Sequence, residues 1–151
     1  MTWLAIGDKP ARINREPAAI NRPVPSPTGT LRILIVEDEF LIALELENRL
    51  LDAGFEVVGI AATAEEALSL AASELPDLAI TDIRLAGRKD GVDTAIELFT
   101  TLRLRSIFSS AHANDTETRN RAAPAYPIGW LQKPYPANVL VRMIRSYLMD
   151  G

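Results

Sequence analysis

A short apolar run that ends in a carboxylate is the feature that most constrains how this chain can fold. The run spans Leu78–Ile83 and includes Asp82; Pro76 and Asp77 precede it, and the glycine-containing loop 85–91 follows it. A run bounded in this way predicts a strand. Its lack of in/out alternation indicates burial on both faces, which is typical of parallel sheets. Asp82 is then expected at the carboxyl edge of the sheet, where open α/β sheets bind their ligands.

Composition limits the chain to one domain of ordinary size. It has 151 residues, of which 48% are hydrophobic, and a formal net charge of −4. An acidic chain lacks the basic surface that nucleic acid binding requires. There is no cysteine, which excludes disulfides, zinc–thiolate sites and thiol catalysis. No signal peptide or membrane-length apolar run is recognisable. We therefore expect a cytoplasmic protein that binds neither nucleic acid nor membrane.

Residues 1–30 differ in composition from the rest. They contain five of the ten prolines and carry a net charge of +2, whereas residues 31–151 carry −6. Proline-rich polar sequence without periodicity cannot bury enough surface to offset its ordering entropy. We predict a disordered extension over 1–30 and a single domain over 31–151. A short docking element around Trp3, Leu4 and Ile6 is the functional alternative for the extension.

From Leu31 onward, predicted strands alternate with predicted helices. The strands cover 31–36, 55–60, 78–82, 106–110 and 128–132, and the helices cover 40–53, 63–73, 91–102, 115–123 and the region from Pro136 onward. Five successive β–α units predict a parallel sheet with right-handed crossovers and helices on both faces. The first helix is expected to place its apolar stripe at Phe40, Leu41, Leu44, Leu50 and Leu51.

The predicted strand ends carry polar residues that suit one chemistry. They are Glu37, Asp38 and Glu39 after the first strand, then Asp82, Ser110 and Lys133. Neighbouring carboxylates raise one another's pKa unless a cation neutralises them, and Mg²⁺ (or Mn²⁺) prefers such oxygen ligands. We expect Asp38 and Asp82 to bind the metal directly, with Glu37 acting directly or through water. Lys133 and Ser110 would contact the oxygens of a phosphoryl group while Asp82 attacks phosphorus.

Four segments together resemble the receiver domain of two-component response regulators. They are residues 35–39, 80–85, 109–111 and 131–135, each at a predicted strand end. The resemblance implies a flavodoxin-like (βα)5 three-layer sandwich with sheet order 2-1-3-4-5. It also implies that Asp82 is the phosphoacceptor, that Glu37 and Asp38 are metal-site acids, that Ser110 is a switch hydroxyl, and that Lys133, followed by a usually cis Pro134, is the phosphoryl partner.

The sequence departs from that family at the regions that transmit the signal. Trp130 stands where the family usually has a switching tyrosine or phenylalanine, and the predicted fourth helix is short and flanked by Pro124 and Pro127. Arg84 and His112 each stand two residues after a site residue. We hypothesise that these two residues flank the path of a hydrolytic water and thereby set the lifetime of the phosphoryl group.

The resemblance implies a single-domain response regulator that takes its phosphoryl group from a histidine kinase or a histidine phosphotransfer protein. Because no output module follows the last predicted helix, we expect one of two roles. Either a downstream protein partner binds the face of the fourth helix, fifth strand and last helix, or the protein acts as a phosphoryl shuttle or sink. The transfer is self-catalysed, so turnover catalysis is not expected. The alternatives are a phosphorylation-independent pseudo-receiver that binds proteins and a Mg²⁺-dependent phosphohydrolase, for which Arg84 would be a poor general acid.

Three simpler interpretations of the site residues remain possible from the sequence. Glu37, Asp38 and Glu39 could cap the positive end of the first helix. Lys133 could be a solvated loop lysine, and Trp130 could be an ordinary core residue.

Overall fold

The computed structural model describes residues 29–150, so the prediction for residues 1–30 lies almost wholly outside the described residues. The described chain contains five strands, β1 (Arg32–Val36), β2 (Glu56–Ala61), β3 (Leu78–Asp82), β4 (Ser106–Ser110) and β5 (Gly129–Gln132). They alternate with five α-helices, α1 (Phe40–Asp52), α2 (Ala64–Glu74), α3 (Gly91–Leu102), α4 (Thr116–Ala122) and α5 (Ala137–Asp150), and a 3-10 turn, Ala123–Ala125, follows α4.

The five strands form one parallel sheet in the order β2-β1-β3-β4-β5. This confirms the predicted fold and strand order. The central strand β3 is buried along its whole length, as its continuous apolar run predicts. Its neighbours place Val36 opposite Thr81 and Ser109 opposite Asp82, so the polar residues that follow β1, β3 and β4 converge at one edge.

Side-chain caps explain where three of the helices begin. The Thr63 hydroxyl accepts the Glu66 N–H at 3.2 Å before α2, and the Glu66 carboxylate accepts the Ala62 N–H at 2.7 Å. Asp90 and Asp93 form a reciprocal capping box at the start of α3. The Asp115 carboxylate accepts the Thr118 N–H at 3.0 Å and begins α4. Each cap satisfies backbone donors that the first helical turn leaves unpaired.

The core lies in two layers, one on each face of the sheet. Ile33, Ile35 and Ile80 face α1 and α5 and pack with Leu50 and Ile144. On the opposite face, α2, α3 and α4 cover residues such as Leu34, Ala79 and Phe108. Burial on both faces makes the sheet a rigid platform, and the loops at its carboxyl edge are held by that platform. None of the helices in residues 29–150 combines the length and apolar character that crossing a membrane would need.

The predicted apolar stripe of α1 is confirmed at Leu50 and wrong at Phe40, Leu41 and Leu51. The helix buries Ala43, Leu46 and Leu50 against the sheet, which follow one another at the three- and four-residue spacing of one helical face. Phe40 and Leu41 are 65% and 78% exposed, and Leu51 is also exposed. The prediction gave weight to large side chains, whereas the face that contacts the sheet passes through a small alanine. The start of α1 therefore presents apolar side chains to solvent.

Candidate functional site

Three acids converge where β1 and β3 end. Glu37 and Asp38 follow β1, and Asp82 is the last residue of β3. One carboxylate oxygen from each lies within 4.8 Å of the others. Glu37 and Asp82 are only 4% and 8% exposed, whereas Asp38 faces solvent. Two buried acids and one exposed acid therefore form a cluster that is open on one side.

Lys133 is the cation within this cluster. It follows β5, and its Nζ lies 3.4 Å from Glu37 Oε1 and 3.4 Å from Asp82 Oδ2. The Lys133 side chain is only 27% exposed, so it is not a solvated loop lysine. The ammonium group contacts two of the three carboxylates, and the cluster has excess negative charge if all three are ionised.

The pKa of Glu37 is raised above its ordinary value, and burial is the largest cause. The charge of Asp82 raises this pKa further. The Glu39 N–H, which donates to Glu37 Oε2 at 3.1 Å, and the Lys133 ammonium act in the opposite direction without cancelling the rise in pKa. The pKa of Tyr135 is also raised, first by burial and then by the charge of Glu37. The site would thus gain from a second positive charge.

The donor set fits a divalent cation that prefers oxygen. Glu37, Asp38 and Asp82 offer carboxylate oxygens only, and the residues that the structure describes contain no cysteine. Hard ligands of this type suit Mg²⁺ or Mn²⁺ rather than zinc. The exposed side, next to Asp38, would leave positions for water or a phosphoryl oxygen. The acid residues predicted from the sequence are thus brought together in an arrangement that could hold the metal.

The helix-capping alternative does not account for these acids. Glu39 is the N-cap residue of α1, and its side chain makes no capping hydrogen bond. The Glu37 carboxylate accepts the N–H of Glu39, which lies before the first helical residue. Glu37 instead faces Asp82 and Lys133, and the side chain of the N-cap residue Glu39 does not cap the first turn of α1.

Ser110 ends β4 beside the acid cluster. It is 8% exposed, its Oγ accepts the His112 N–H at 2.9 Å, and its carbonyl accepts the Lys133 N–H at 2.8 Å. The Ser110 hydroxyl and the Lys133 ammonium thus belong to adjacent strand ends joined by a backbone hydrogen bond. Ser110 retains a hydroxyl proton that could be donated to an oxygen of a bound phosphoryl group.

Arg84 and His112 lie at the same opening. Both are exposed, and with Asp82, Ser110 and Lys133 they line one open pocket. The Arg84 N–H makes a long contact of 3.5 Å to Asp82 Oδ1. Both residues therefore line the opening beside Asp82, and their effect on the lifetime of a phosphoryl group stays a prediction.

Trp130 lies on β5, away from the acids. Its ring stacks on Phe108 with centroids 4.7 Å apart and an interplanar angle of 26°. The guanidinium of Arg119 lies over the Trp130 ring, 5.0 Å from its centroid. Trp130 is half-buried, so it is packed against the core and also contacts a surface helix.

The sequence interpretation missed three residues that the structure places around the site. Gly91 begins α3, and a Cβ added there would lie 1.8 Å from the Asp82 carbonyl oxygen. Gln132 and Arg119 bind the backbone of the loop after Ser110. The Asp90-Gly91 pair before an apolar helix indicates a turn, but it does not indicate the close approach to Asp82. For Gln132 and Arg119, no sequence pattern indicates the contact.

Comparison with known proteins agrees with this geometry. The family model described as "Response regulator receiver domain" matches residues 33–145. The transcriptional regulatory protein PdtaR of Mycobacterium tuberculosis (strain H37Rv) is 35% identical over 113 residues, which are 75% of this chain and 54% of that protein. The phyllosphere-induced regulator PhyR of Methylorubrum extorquens is 40% identical over 109 residues, 71% of this chain and 40% of that protein. The chain thus spans about half or less of the length of these relatives.

Solved structures give the same result. The signal receiver domain of a modulated diguanylate cyclase from Desulfovibrio desulfuricans G20 superposes with a TM-score of 0.73 and 38% identity, covering 80% of this chain and 95% of that chain. The receiver domain of Erythrobacter litoralis PhyR superposes with a TM-score of 0.71 and 29% identity, covering 82% and 94%.

Proposed function

Since this chain belongs to the family of response regulator receiver domains, we propose that its Asp82 accepts a phosphoryl group in the cytoplasm. The donor is the phosphohistidine of a histidine kinase or a histidine phosphotransfer protein. The observation that carries this proposal is the contact of one ammonium, Lys133 Nζ, with both Glu37 and Asp82 at 3.4 Å inside a three-acid cluster. Such a cluster can neutralise and orient a phosphoryl group, which is most of what phosphoryl transfer needs from a protein.

Each residue has a distinct part in the proposed transfer. An Asp82 oxygen bonds to phosphorus while the P–N bond of the donor breaks, and the imidazole leaves with the electron pair. Lys133 neutralises charge on the phosphoryl oxygens, and the Ser110 hydroxyl donates to one of them. Glu37, Asp38 and Asp82 would hold Mg²⁺, which supplies charge neutralisation at the phosphoryl oxygens when bound. The product is an acyl phosphate, so the protein is modified and does not turn over substrate.

Intact-mass spectrometry after treatment with a small acyl phosphate tests the proposal. We expect one added phosphoryl group in the presence of Mg²⁺, located on Asp82 by fragmentation, and none in the presence of a chelator. Absence of the adduct in folded protein, with rapid quenching, would favour the phosphorylation-independent pseudo-receiver. Continuous release of phosphate from small esters would instead favour the phosphohydrolase.

The same time course, followed after removal of the acyl phosphate, tests the proposed role of the two pocket residues. Arg84→Ala and His112→Ala are expected to change the decay rate of the adduct, because both side chains line the opening to Asp82. Decay at the wild-type rate in both variants would contradict their role in setting the phosphoryl lifetime.

We also infer that the donor protein docks on the apolar start of α1. Phe40, Leu41 and Ile42 are exposed and directly follow the acids of the site, so a protein bound there would have its phosphohistidine close to Asp82. Isolated exposed apolar residues are common, but a contiguous group beside a reactive site is typical of a protein-binding surface. The downstream partner is proposed to bind the face of α4, β5 and α5.

Leu41→Asp should separate docking from chemistry. Leu41 is 78% exposed, so the fold is expected to tolerate the change. We expect wild-type phosphorylation by a small acyl phosphate and at least a roughly 10-fold slower transfer from whichever phosphohistidine protein phosphorylates the wild type. Glu45→Gln, on an exposed part of the same helix, serves as the control. An equal loss with both phosphoryl donors would contradict the docking role.

A further inference from the structure

The loop that follows Ser110 is held by a side chain from the neighbouring strand end. Gln132 Oε1 accepts the Ala113 N–H at 3.0 Å, and Gln132 Nε2 donates to the Ala111 carbonyl at 2.5 Å. One amide group thus binds two backbone groups of the same loop, one as acceptor and one as donor. Gln132 immediately precedes Lys133, so the contact joins the loop after β4 to the strand end that carries the site lysine.

Helix α4 holds the same loop from the other side. Arg119 Nε donates to the Ala113 carbonyl at 2.6 Å, so the N–H and the C=O of Ala113 are both bound by side chains. Ala113 is 3% exposed, although the residues on either side of it are exposed. The same guanidinium lies 5.0 Å from the Trp130 ring centroid. Arg119 therefore contacts both the loop and the aromatic residue of β5.

The loop that Gln132 holds also donates a hydrogen bond to the Ser110 hydroxyl oxygen. The His112 N–H donates to Ser110 Oγ at 2.9 Å, and His112 lies between Ala111 and Ala113, the two residues that Gln132 binds. A shift of the loop would therefore move the donor that now occupies the Ser110 oxygen. Since Ser110 is the hydroxyl beside Asp82 and Lys133, the loop anchor and the reactive site are joined through one hydrogen bond.

We propose that Gln132 and Arg119 are positioning residues that clamp the loop 111–114 at Ala113, set the orientation of the Ser110 hydroxyl, and couple Ser110 to Trp130 through Arg119. The part of this inference that concerns a phosphoryl group rests on the function proposed above. Through the clamp, a change at Ser110 would reach the surface of α4 without inward rotation of Trp130. The Trp130 ring is already stacked on Phe108.

Hydrogen exchange of the Ala113 amide tests the clamp in unphosphorylated protein. Gln132→Met removes the acceptor of this amide, and Arg119→Met removes the donor to the adjacent carbonyl. We expect Ala113 to exchange at least roughly 10-fold faster in Gln132→Met, and faster to a smaller extent in Arg119→Met, because local opening controls exchange. Arg119→Lys, which keeps the charge and a donor, should restore slower exchange.

Arg121→Met is the matched control for Arg119. Arg121 is on the same helix and pairs with Asp90 and Asp93 through its guanidinium. Its side-chain hydrogen bonds within residues 29–150 go to these two acids and not to the loop 111–114. Exchange at Ala113 should stay within about 2-fold of wild type in this variant. Wild-type exchange at Ala113 in both Gln132→Met and Arg119→Met would overturn the clamp, whether or not Asp82 is phosphorylated.

A double-mutant cycle with Ser110→Ala tests the positioning role. If Gln132 acts through the Ser110 hydroxyl, Gln132→Met should alter the rate of adduct formation from acyl phosphate in the wild-type background and have little further effect in Ser110→Ala. Equal effects in the two backgrounds would overturn the positioning role while leaving phosphoryl acceptance by Asp82 intact. Absence of any adduct in the wild type would instead count against the proposed function, which separates the two failures.

Discussion

Replacing Asp82 by asparagine is expected to abolish phosphoryl acceptance without unfolding the protein. An amide has no carboxylate oxygen that can attack phosphorus, and the two acids that remain, Glu37 and Asp38, precede α1 rather than end β3. Neither occupies the position at the end of the central strand that Asp82 has. Intact-mass spectrometry after acyl phosphate treatment should therefore show no Mg²⁺-dependent adduct. An adduct of wild-type amount would identify a different acceptor and contradict the assignment.

The free energy of unfolding of Asp82→Asn should show that the variant loses phosphoryl acceptance without losing its fold. Asp82 is repelled by two nearby acids and attracted by Lys133 at 3.4 Å. These effects oppose each other, so we expect the free energy of unfolding without Mg²⁺ to change by less than about 1 kcal/mol. In Mg²⁺ the wild type should gain stability through ligand binding, and Asp82→Asn should gain less because one metal ligand is lost. Thermal unfolding with and without Mg²⁺ measures both effects.

A control variant and the pKa of Glu37 test whether the effects of Asp82→Asn are specific to the Asp82 carboxylate. Asp77 lies just before the opposite end of the same strand, where its carboxylate accepts the Arg32 N–H at 2.8 Å. Asp77→Asn should therefore retain phosphorylation. Because the charge of Asp82 contributes to the raised pKa of Glu37, that pKa should fall in Asp82→Asn, as NMR titration of the Glu37 side chain can measure. An unchanged Glu37 pKa would mean that the two carboxylates are not electrostatically coupled.

The strands and their polar ends could be predicted because each rests on a local signal. A buried strand between turn residues appears in the sequence as a continuous apolar run, and the next polar residue must lie at the carboxyl edge of a parallel sheet. That reasoning placed Glu37, Asp82 and Lys133 at one edge, and the structure brings their charged groups together. The order of the strands followed from family resemblance, since no local signal specifies which strands are neighbours.

The exposed start of α1 and the contact of Gln132 could not be predicted, because both depend on three-dimensional geometry that residue spacing does not specify. Several large apolar residues in α1 suggest a stripe, but the buried face of the helix passes through Ala43 and Leu46. Phe40 and Leu41 lie off that face and are exposed. Gln132 binds Ala113 across 19 residues of sequence. Such a contact depends on the path of the loop after Ser110 and on the rotamer of one exposed amide, and neither leaves a pattern in the residues themselves.

Replacing Gly91 by alanine is expected to destabilise the fold and displace the phosphoacceptor together. A Cβ at Gly91 would lie 1.8 Å from the Asp82 carbonyl oxygen, 2.7 Å from the Asp82 carbonyl carbon and 2.8 Å from the Ile83 Cα. All three are backbone atoms, so no side-chain rotation can relieve the clash. The start of α3 must then move away from the end of β3, and the Gly91 N–H bond to the Ile83 carbonyl, now 2.7 Å, must lengthen.

Overpacking of this kind typically costs about 1–3 kcal/mol, and we expect Gly91→Ala to lie at the upper end because only backbone can yield. A displacement of Asp82 by about 1 Å can slow the reaction roughly 100-fold, since transfer depends on alignment. Urea unfolding and the rate of adduct formation from acyl phosphate measure the two effects. Both should be large, because the same atoms that clash at Gly91 are the backbone of the phosphoacceptor.

Gly59→Ala is the control that distinguishes this clash from the ordinary effect of replacing a glycine. A Cβ at Gly59 would lie 3.0 Å from Leu70 Cδ1, the end of a flexible side chain that can rotate away. We expect a cost of about 1 kcal/mol or less and wild-type phosphorylation. If Gly91→Ala matched Gly59→Ala in both measurements, α3 could separate from β3 without moving Asp82. In that case, close packing at the helix start would not be what holds the phosphoacceptor in place.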